Sequence, residues 1–503
     1  MTNLEISKAR FNFKNSCIFL LAVFIVAFGQ PIWSFWLGLV SSFCGYALFW
    51  QIHRQRFWYS TLFFCLVQLV QLSWMSSVEY VGAGLILGWV FFSLGLGIFF
   101  GFFSLFVKEK MSLSTILALA ALWTIFERSR FFFLSGYSWN PVGLSLTGFL
   151  PFLQFASLFG ILGFTFLVIS VNLLVKTKRY FLAGGSLALV FLWGCIHLLL
   201  NTPSREVVQV ALIQPNIPPI AIQSFPVWQK VLPLLEKARG AELLVLPEGV
   251  LPYGYETPAF DKKNIRSAKK NSSDFVSNKD ILHSISEEYN ADVIAGVDAD
   301  NYQAAVFISP GVEQIYGKRI LLPFAEYIPF RWCASIAERF GIKASYNKGD
   351  GPLVFQGRKR CGIGICYEET FGHLVQENYE LEPDFLVFIV NDAWYPNSTL
   401  GRQHFFHARL RGVELGLSMV RASTNGVTAA LDGHGRLIGA LPENQAGVLN
   451  IAVPICHFPT LYAYLGDTPM IILCFLCIGF KIITLIKSRR QWRNPLVGLR
   501  KKH

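Results

Sequence analysis

The sequence predicts a multi-span α-helical membrane domain combined with an α/β domain. Hydrophobic residues make up 53% of the 503 residues and charged residues only 15%, whereas a soluble protein usually carries about a quarter charged residues. The mean hydropathy of +0.43 agrees with a chain that spends much of its length in lipid. One stretch of about 260 residues has ordinary globular composition and is long enough for a sizeable second domain.

The membrane domain is predicted from apolar segments, since a helix crosses a bilayer with roughly 20 apolar residues. Lys8, Arg10 and Lys14 precede the first segment, so it could be a signal peptide. No small-residue cleavage site follows, and more apolar segments come at once, so we expect a retained helix. The segments lie near residues 15–29, 31–50, 57–76, 84–107, 112–127, 153–176, 180–200 and 467–486.

The net charge of +12 comes largely from short Lys and Arg runs beside the apolar segments, which is a topology signal. The N-terminal tail, residues 53–56, 108–110 and 176–179, and the C-terminal tail are basic and alternate with an eight-span count. We therefore expect both termini in the cytoplasm and the globular domain on the other side. No basic groove with interleaved aromatics is evident, so a nucleic-acid partner is not expected.

The predicted domains are a membrane domain of about seven helices at residues 1–201, a globular domain at 202–460, and a final helix with a basic tail at 461–503.

Two arginines break this charge pattern by lying on the outer side. Arg128 and Arg130 follow Glu127 at the end of the fifth segment. Charged groups at a membrane boundary are costly unless paired or hydrated. They could contact a lipid headgroup or a substrate, or they could pair locally with Glu127 and fix the helix end.

The aromatic stretch at residues 131–150 is too irregular for a spanning helix and is predicted to be an interfacial or re-entrant segment.

The globular domain alternates short β-rich runs with helical stretches, which is typical of a sheet covered by helices. Strands are predicted at residues 207–213, 242–246, 293–297, 305–309, 362–365, 385–389 and 427–431, and helices at 227–238, 281–289 and 403–415.

Ten cysteines are present, and their surroundings separate them into two groups. Six lie in apolar segments, among them Cys474 and Cys477, whose CxxC spacing falls inside a lipid-length run. Small apolar residues in a membrane helix explain that pair better than a redox or zinc site. The globular part contains Cys333, Cys361, Cys366 and Cys456, whose spacing suggests no metal cluster and no disulfide framework. We expect no metal and no organic cofactor.

Three chemically active residues stand directly after strand-like runs: Glu248, Lys318 and Cys366. The ends of strands are where α/β folds collect their active sites. A carboxylate could take the thiol proton, an ammonium could stabilise the oxyanion of a tetrahedral intermediate together with the backbone N–H of Tyr367, and the thiol could form a thioester. Taken singly, Glu248 could be a loop carboxylate, Lys318 a solvated strand-end charge and Cys366 a small buried hydrophobe.

These residues lie in blocks that resemble known families. Residues 246–248, 316–326 and 364–368 resemble the three catalytic blocks of the nitrilase superfamily. Further blocks are similar to the apolipoprotein N-acyltransferase family, and the similarity covers nearly the whole chain, including the eight-span layout. These further blocks are residues 123–143, 160–163, 391–395, 403–404, 408–411, 414–416 and 421–426.

The resemblance implies a nitrilase-like α-β-β-α sandwich and a Glu-Lys-Cys triad. It implies an enzyme of the bacterial inner membrane with its catalytic domain on the periplasmic side, and we expect a monomer. The reaction implied is transfer of an acyl chain from a phospholipid, commonly phosphatidylethanolamine, onto the cysteine as a thioester. The chain then passes to the α-amino group of a diacylglyceryl-cysteine lipoprotein.

The family's site residues carry over by position. Glu248 corresponds to the base, Lys318 to the oxyanion partner, Cys366 to the nucleophile and Glu326 to the second carboxylate that helps hold the lysine. Three further supporting residues are predicted beside the nucleophile and in the block that follows it: Tyr367, Glu368 and Trp394.

The sequence departs from the family pattern in two places. Ala325 stands where the family usually has glycine, which matters if the backbone there needs a positive φ. Trp228 is the nearest candidate for the family's loop tryptophan, but its spacing from Asn216 is longer, so that role is not assigned. Arg402, Gln403 and His404 could contact a headgroup, and His404 could instead be hydrogen-bonded at a helix start.

Two rival functions share some of these features. A membrane-anchored amidase or nitrilase-type hydrolase would use the same triad with water as acceptor, but it would need one anchor rather than seven preceding spans. A channel or transporter with a degenerate domain would not need Glu248, Lys318 and Cys366 together.

Overall fold

The computed structural model describes residues 3–52, 57–219, 227–251, 254–257, 276–330, 332 and 346–493. Cys333, the basic turn at 53–56 and most of the predicted basic C-terminal tail lie outside the described residues.

Helices occupy all eight predicted apolar segments. Five are long and apolar enough to cross a membrane: Phe35–Ile52, Gly84–Ser104, Ala156–Lys176, Tyr180–Leu200 and Thr468–Ser488. Phe13–Ala27 and Phe57–Gln71 are shorter apolar helices, and the predicted fifth segment is the 17-residue helix Leu113–Ser129. The membrane domain is therefore helical as predicted, while the count of eight spans stays a prediction.

The segment at residues 131–150 is irregular, as its composition predicts. It contains the 3-10 turns Arg130–Phe132 and Val142–Leu146, and it leads into the short helix Leu150–Leu153. The segment does not lie apart from the rest of the chain, because Phe131, Trp139 and Leu144 belong to the buried core of the membrane helices.

Two mixed sheets build the globular part. The first has the order β12-β1-β2-β3-β4-β5 and the second β11-β10-β9-β8-β7-β6. The first comprises β1 Val207–Gln214, β2 Leu243–Val245, β3 Asp292–Ala299, β4 Tyr302–Ser309, β5 Val312–Gly317 and β12 Gly447–Pro454. The second comprises β6 Val354–Gln356, β7 Arg360–Ile365, β8 Phe385–Val390, β9 Met419–Ser423, β10 Ala429–Leu431 and β11 Leu437–Ala440. In each sheet three central strands run parallel, β1-β2-β3 and β7-β8-β9.

The layers follow the order helix, sheet, sheet, helix, which confirms the predicted sandwich. The inner faces of the two sheets share one apolar core, with Val208 and Phe307 from the first and Ile363 and Val387 from the second. Helices Val227–Glu236 and Asn278–Tyr289 cover the first sheet, and helix Leu400–Leu415 covers the second. Trp228 belongs to this covering layer, where it is buried and its Nε1 donates to Asn278 Oδ1.

The helix Leu400–Leu415 also joins the globular part to the membrane helices. Ala408 and Leu415 pack against the second sheet, whereas Leu400, Leu410 and Val413 belong to the core of the membrane domain. Tyr367 and Phe371, just after β7, belong to that same core. The carboxyl ends of the second sheet are therefore held directly against the membrane domain.

Candidate active site

The three predicted catalytic side chains converge although they come from both sheets. Glu248 follows β2 and Lys318 follows β5 in the first sheet, whereas Cys366 follows β7 in the second. The backbone of Glu248 lies close to Gly296 of the neighbouring strand β3. A Cβ added to Gly296 would lie only 2.4 Å from the Cα of Glu248, so glycine permits this close approach. A larger residue at position 296 would displace the strand end that carries the carboxylate.

Lys318 is fully buried between two carboxylates. Its Nζ lies 3.0 Å from Glu248 Oε1 and 2.6 Å from Glu326 Oε1. Burial alone would lower the pKa of Lys318, but the charges of Glu248 and Glu326 outweigh burial and raise that pKa well above its ordinary value. The side chain is therefore an ammonium that can face a developing oxyanion.

The surroundings of the Cys366 thiol favour its protonated form. Burial raises its pKa well above the ordinary 9.0, the charge of Glu248 raises it further, and Lys318 opposes both. Glu248 therefore lies close enough to the thiol to act on it electrostatically. Glu248 is fixed from its other side, because its Oε2 accepts the backbone N–H of Asn391 at 3.0 Å. A base is thus placed to take the proton that this thiol must lose before it can attack.

The backbone at the nucleophile is strained. Cys366 opens the 3-10 turn Cys366–Thr370 with φ at +54°, a left-handed conformation that costs a residue with a Cβ on the order of 1–3 kcal/mol. Such strain persists when the surroundings fix the turn. Here the fixing group is Glu368, whose Oε2 accepts the N–H of Ile365 at 2.8 Å.

Glu368 is a structural link between the two sheets. Its carboxylate is fully buried and also accepts from the backbone N–H groups of Arg319 and Ile320 and from the Tyr316 hydroxyl. Tyr316, Arg319 and Ile320, the donors at the end of β5, flank Lys318. Ile365, the donor at the end of β7, directly precedes Cys366. The geometry therefore gives Glu368 the task of fixing the lysine strand against the nucleophile turn.

Glu326 lies in a tight loop after β5. Its Oε2 accepts the N–H of Leu322 at 2.8 Å, which leaves Oε1 for the lysine. The positive φ in this loop, +63°, belongs to Phe324 and not to Ala325. The alanine that departs from the family pattern is therefore accommodated without backbone strain.

The aromatic segment of the membrane domain contacts this site directly. The Tyr367 hydroxyl accepts the N–H of Ser138 and donates to the carbonyl of Gly136. Ser135 Oγ donates to the Tyr327 hydroxyl at 2.7 Å, next to Glu326. The segment also exposes Phe132, Phe133 and Leu134, and on the catalytic side Phe324, Phe330, Trp332 and Trp394 are exposed. The aromatic segment thus contacts Tyr367, next to the nucleophile, and Tyr327, next to Glu326.

The two outer arginines, Arg128 and Arg130, have different partners in the structure. Arg128 Nε pairs with Asp467 Oδ2 at 3.2 Å, at the start of the last helix. Arg130 is 7% exposed, and its nearest carboxylate oxygen, Glu127 Oε1, is 3.8 Å away. Within the described residues its Nη1 and Nη2 have no hydrogen-bond partner. Arg128 is engaged with the last helix, whereas the guanidinium of Arg130 is buried beside Glu127 and over the rings of Phe100 and Tyr137.

Of the three predicted headgroup candidates, two are buried. Gln403 donates to the carbonyl of Gln71 and accepts from Trp139 Nε1, so it links the membrane helices to the aromatic segment. His404 is 3% exposed and lies between carboxylates, which favours the structural interpretation of this residue over headgroup contact. Arg402 is half exposed and lies 3.5 Å from Glu443.

Sequence reasoning missed the buried network beside the turn, formed by Glu369, Asp392, His404 and Arg421. The residue types were visible in the sequence, but nothing in their spacing showed that they meet.

In the described part of the chain, no three His, Cys, Asp or Glu side chains are grouped so that they could hold a metal ion.

Two family profiles match the chain. The carbon-nitrogen hydrolase profile matches residues 209–455, and the profile of the apolipoprotein N-acyltransferase N-terminal domain matches residues 21–174. These matches confirm the resemblance to both families.

Full-length relatives agree with the profiles. An apolipoprotein N-acyltransferase of Chlamydia pneumoniae is 31% identical over 92% of this chain and 96% of its own length. That of Chlamydia caviae is 33% identical over the same shares, and that of Shewanella oneidensis is 32% identical over 73% of both chains. The chain belongs to the apolipoprotein N-acyltransferase family and combines a helical membrane domain with a carbon–nitrogen hydrolase domain.

Proposed function

We propose that this chain transfers an acyl chain from a membrane phospholipid, through a thioester on Cys366, to the N-terminal amine of a diacylglyceryl-cysteine lipoprotein. The observation that carries the proposal is the buried Glu248–Lys318–Glu326 cluster beside the Cys366 thiol, at a site bordered by the aromatic segment of the membrane domain. A thioester enzyme with a lipid donor needs its nucleophile close to the bilayer, and the contact of Tyr367 with residues 136 and 138 supports that placement.

The first half-reaction acylates the enzyme. The thiol proton moves to Glu248, and Sγ forms a bond to the ester carbonyl carbon of the donor. Lys318 and the N–H of Tyr367 stabilise the oxyanion. The carbon–oxygen bond to glycerol then breaks, and the leaving oxygen takes the proton from Glu248. The products are a lysophospholipid and acyl-Cys366.

The second half-reaction returns the enzyme to its starting state. The lipoprotein amine attacks the thioester carbon, and the bond between that carbon and Sγ breaks. Glu248 accepts a proton from the amine and passes it to the Cys366 thiolate. In both steps Glu326 holds Lys318, Glu368 fixes the turn, and Trp394 with the aromatic segment borders the incoming lipids.

The proposed topology has both termini in the cytoplasm and the catalytic domain, residues 202–460, on the periplasmic face of the bacterial inner membrane. Two contacts support it. Arg179 Nη2 donates to the carbonyl of Met111, so the basic turns at 108–110 and 176–179 lie at the same end of the helices. Arg128 and Asp467 meet at the other end of the helix Leu113–Ser129. We propose that the protein acts as a monomer.

Mass spectrometry of the purified protein tests this function. Incubation with phosphatidylethanolamine alone is expected to add one acyl group to Cys366, with release of the lysophospholipid. A diacylglyceryl-cysteine peptide should then remove the acyl group and become N-acylated. Discharge of the adduct by water at the same rate as by the peptide would instead identify a hydrolase, and the absence of any adduct would refute the thioester.

We propose Arg130 as the contact for the donor phosphate, because among the described residues its buried Nη1 and Nη2 have no hydrogen-bond partner, and a guanidinium beside a single carboxylate suits a phosphate. Arg130→Gln is expected to raise KM for the phospholipid by about tenfold or more, as loss of a charged hydrogen bond costs about 1.5–3 kcal/mol, with a smaller effect on kcat. The measurement is single-turnover acylation at varied phospholipid concentration. Arg128→Gln is the matched control, since its partner is Asp467. An unchanged KM in Arg130→Gln would exclude this contact.

A further inference from the structure

His404 bridges two buried carboxylates. Its Nδ1 lies 3.0 Å from Asp392 Oδ1 and its Nε2 lies 3.1 Å from Glu369 Oε1. The fully buried Arg421 spans the same pair, with Nε 3.0 Å from Glu369 Oε1 and Nη2 3.0 Å from Asp392 Oδ2. The ring and the guanidinium together join the two carboxylates into one cluster.

The two carboxylates belong to the two segments that hold the base and the nucleophile. Asp392 follows Asn391, whose backbone N–H donates to Glu248 Oε2. Glu369 belongs to the turn Cys366–Thr370, which opens at the nucleophile. A bridge between Asp392 and Glu369 is therefore also a bridge between the donor that orients Glu248 and the turn that carries Cys366.

The charges of the cluster make this bridge costly to break. Burial alone would raise the pKa of Asp392, but Arg421 and His404 outweigh burial and hold that pKa below its ordinary value. Burial raises the pKa of Glu369, and Arg421 and His404 oppose that shift. Ser423 Oγ donates to Asp392 Oδ2 as well. His404 Nδ1 is hydrogen-bonded to Asp392 Oδ1, whereas its Nε2 contacts Glu369 Oε1 by proximity alone, without the geometry of a hydrogen bond.

The same histidine also faces the membrane domain. Its ring centre is 5.3 Å from that of Trp139 in the aromatic segment, and the neighbouring Gln403 accepts from Trp139 Nε1. The ring thus lies where the base segment, the nucleophile turn and the aromatic segment meet.

We propose that His404 is a positioning residue of the acylation step, which sets the distance between Glu248 and Cys366 by bridging Asp392 and Glu369. The proposal rests on the proposed function, because it presumes that Glu248 and Cys366 react. It assigns His404 no contact with the substrate. Its loss should slow proton transfer and attack while leaving phospholipid binding unchanged.

Variants that remove one or both contacts test this role. Asn at position 404 can replace the contact made by Nδ1, Gln can replace the contact made by Nε2, and Leu removes both. His404→Leu is expected to lower the single-turnover rate of Cys366 acylation by about a hundredfold, the loss that a misplacement of about 1 Å causes, with KM for the phospholipid unchanged. His404→Asn and His404→Gln should fall between His404→Leu and the native protein.

The measurement separates positioning from folding. Mass spectrometry over time gives both the rate of acyl-Cys366 formation and the fraction of molecules that become acylated. A positioning role lowers the rate, whereas a purely structural role lowers the fraction and leaves the rate of the folded molecules native. If His404→Leu does not fold, the Asn and Gln variants decide the matter by the same two quantities. His283→Leu, on the partly exposed pair with Glu313, is the control.

A native acylation rate in all three variants, or a change confined to KM, would overturn the proposal. Failure of the proposed function has a different signature, since the native protein itself would then form no acyl-Cys366.

Discussion

Replacement of Cys366 by alanine is expected to abolish acyl transfer, with a loss of at least about a thousandfold in turnover, as is usual when a covalent nucleophile is removed. Without the thiol no thioester forms, and neither Glu248 nor Lys318 can replace it as a nucleophile in this geometry. Incubation with phospholipid should give no acyl adduct and no lysophospholipid. Cys366→Ser should also be severely impaired, because its hydroxyl is a far weaker nucleophile than a thiol beside the same base.

Cys361→Ala is the matched control for this experiment. Cys361 lies at the other end of the same strand, is 1% exposed, and packs between the sheets, so its truncation tests the effect of losing a buried thiol without touching the site. It should keep most of the transfer activity. A thermal unfolding transition in detergent close to that of the native protein shows that Cys366→Ala is folded. Transfer by a folded Cys366→Ala protein would contradict the mechanism.

The sequence was sufficient to predict the sandwich, and it singled out three residues that the structure brings close together. Glu248, Lys318 and Cys366 each follow an apolar strand, and strand ends are local features that a sequence displays. Their convergence was not predictable from the residues alone, because Glu248 and Cys366 come from different sheets. The pairing of those sheets depends on contacts such as that of Phe307 with Phe355, which are distant in sequence.

Roles that depend on several partners were harder to predict. Glu368 could be placed beside the nucleophile, but its link to Arg319 and Ile320 arises only when β5 and β7 lie next to each other. The contacts of His404 with Asp392 and Glu369 likewise join three separate elements. Such networks leave no periodic pattern, and burial of a charged side chain contradicts its usual preference for solvent.

The strands β6, β9, β11 and β12 were not predicted. β6 and β11 have three and four residues, too few to show an alternating pattern, and β9 contains the buried Arg421, which interrupts an otherwise apolar run. The membrane helices were located within a few residues, because a long apolar run is the strongest signal a sequence contains.

Lys318→Met is expected to remove both activity and a large part of the stability of the catalytic domain. Methionine has a similar length but no charge, so Glu248 and Glu326 are left buried without the ammonium that lies within 3.0 Å of each. Removal of one partner from a buried ion pair costs about 3–5 kcal/mol. Acylation of Cys366 should fall below detection, since the oxyanion also loses its cationic partner. Thermal unfolding in detergent and mass spectrometry measure the two effects separately.

The double variant Lys318→Met/Glu326→Gln distinguishes the structural from the chemical role of the lysine. Neutralising Glu326 removes one of the two uncompensated carboxylates, so part of the lost stability should return while acylation stays absent.

The pH dependence of the stability of Lys318→Met has a definite sign. Burial raises the pKa of Glu326 above its ordinary 4.5 even with Lys318 opposing it, and loss of the lysine raises that pKa further. A carboxyl group with a raised folded-state pKa stabilises the fold at low pH and loses that contribution as the pH rises through the folded-state pKa. Lys318→Met should therefore regain stability as the pH is lowered toward 4.5, and the double variant should regain less. Equal stability of Lys318→Met and the native protein at neutral pH would mean that the two carboxylates are not held as anions by this ammonium, and the electrostatic account of the site would fail with it.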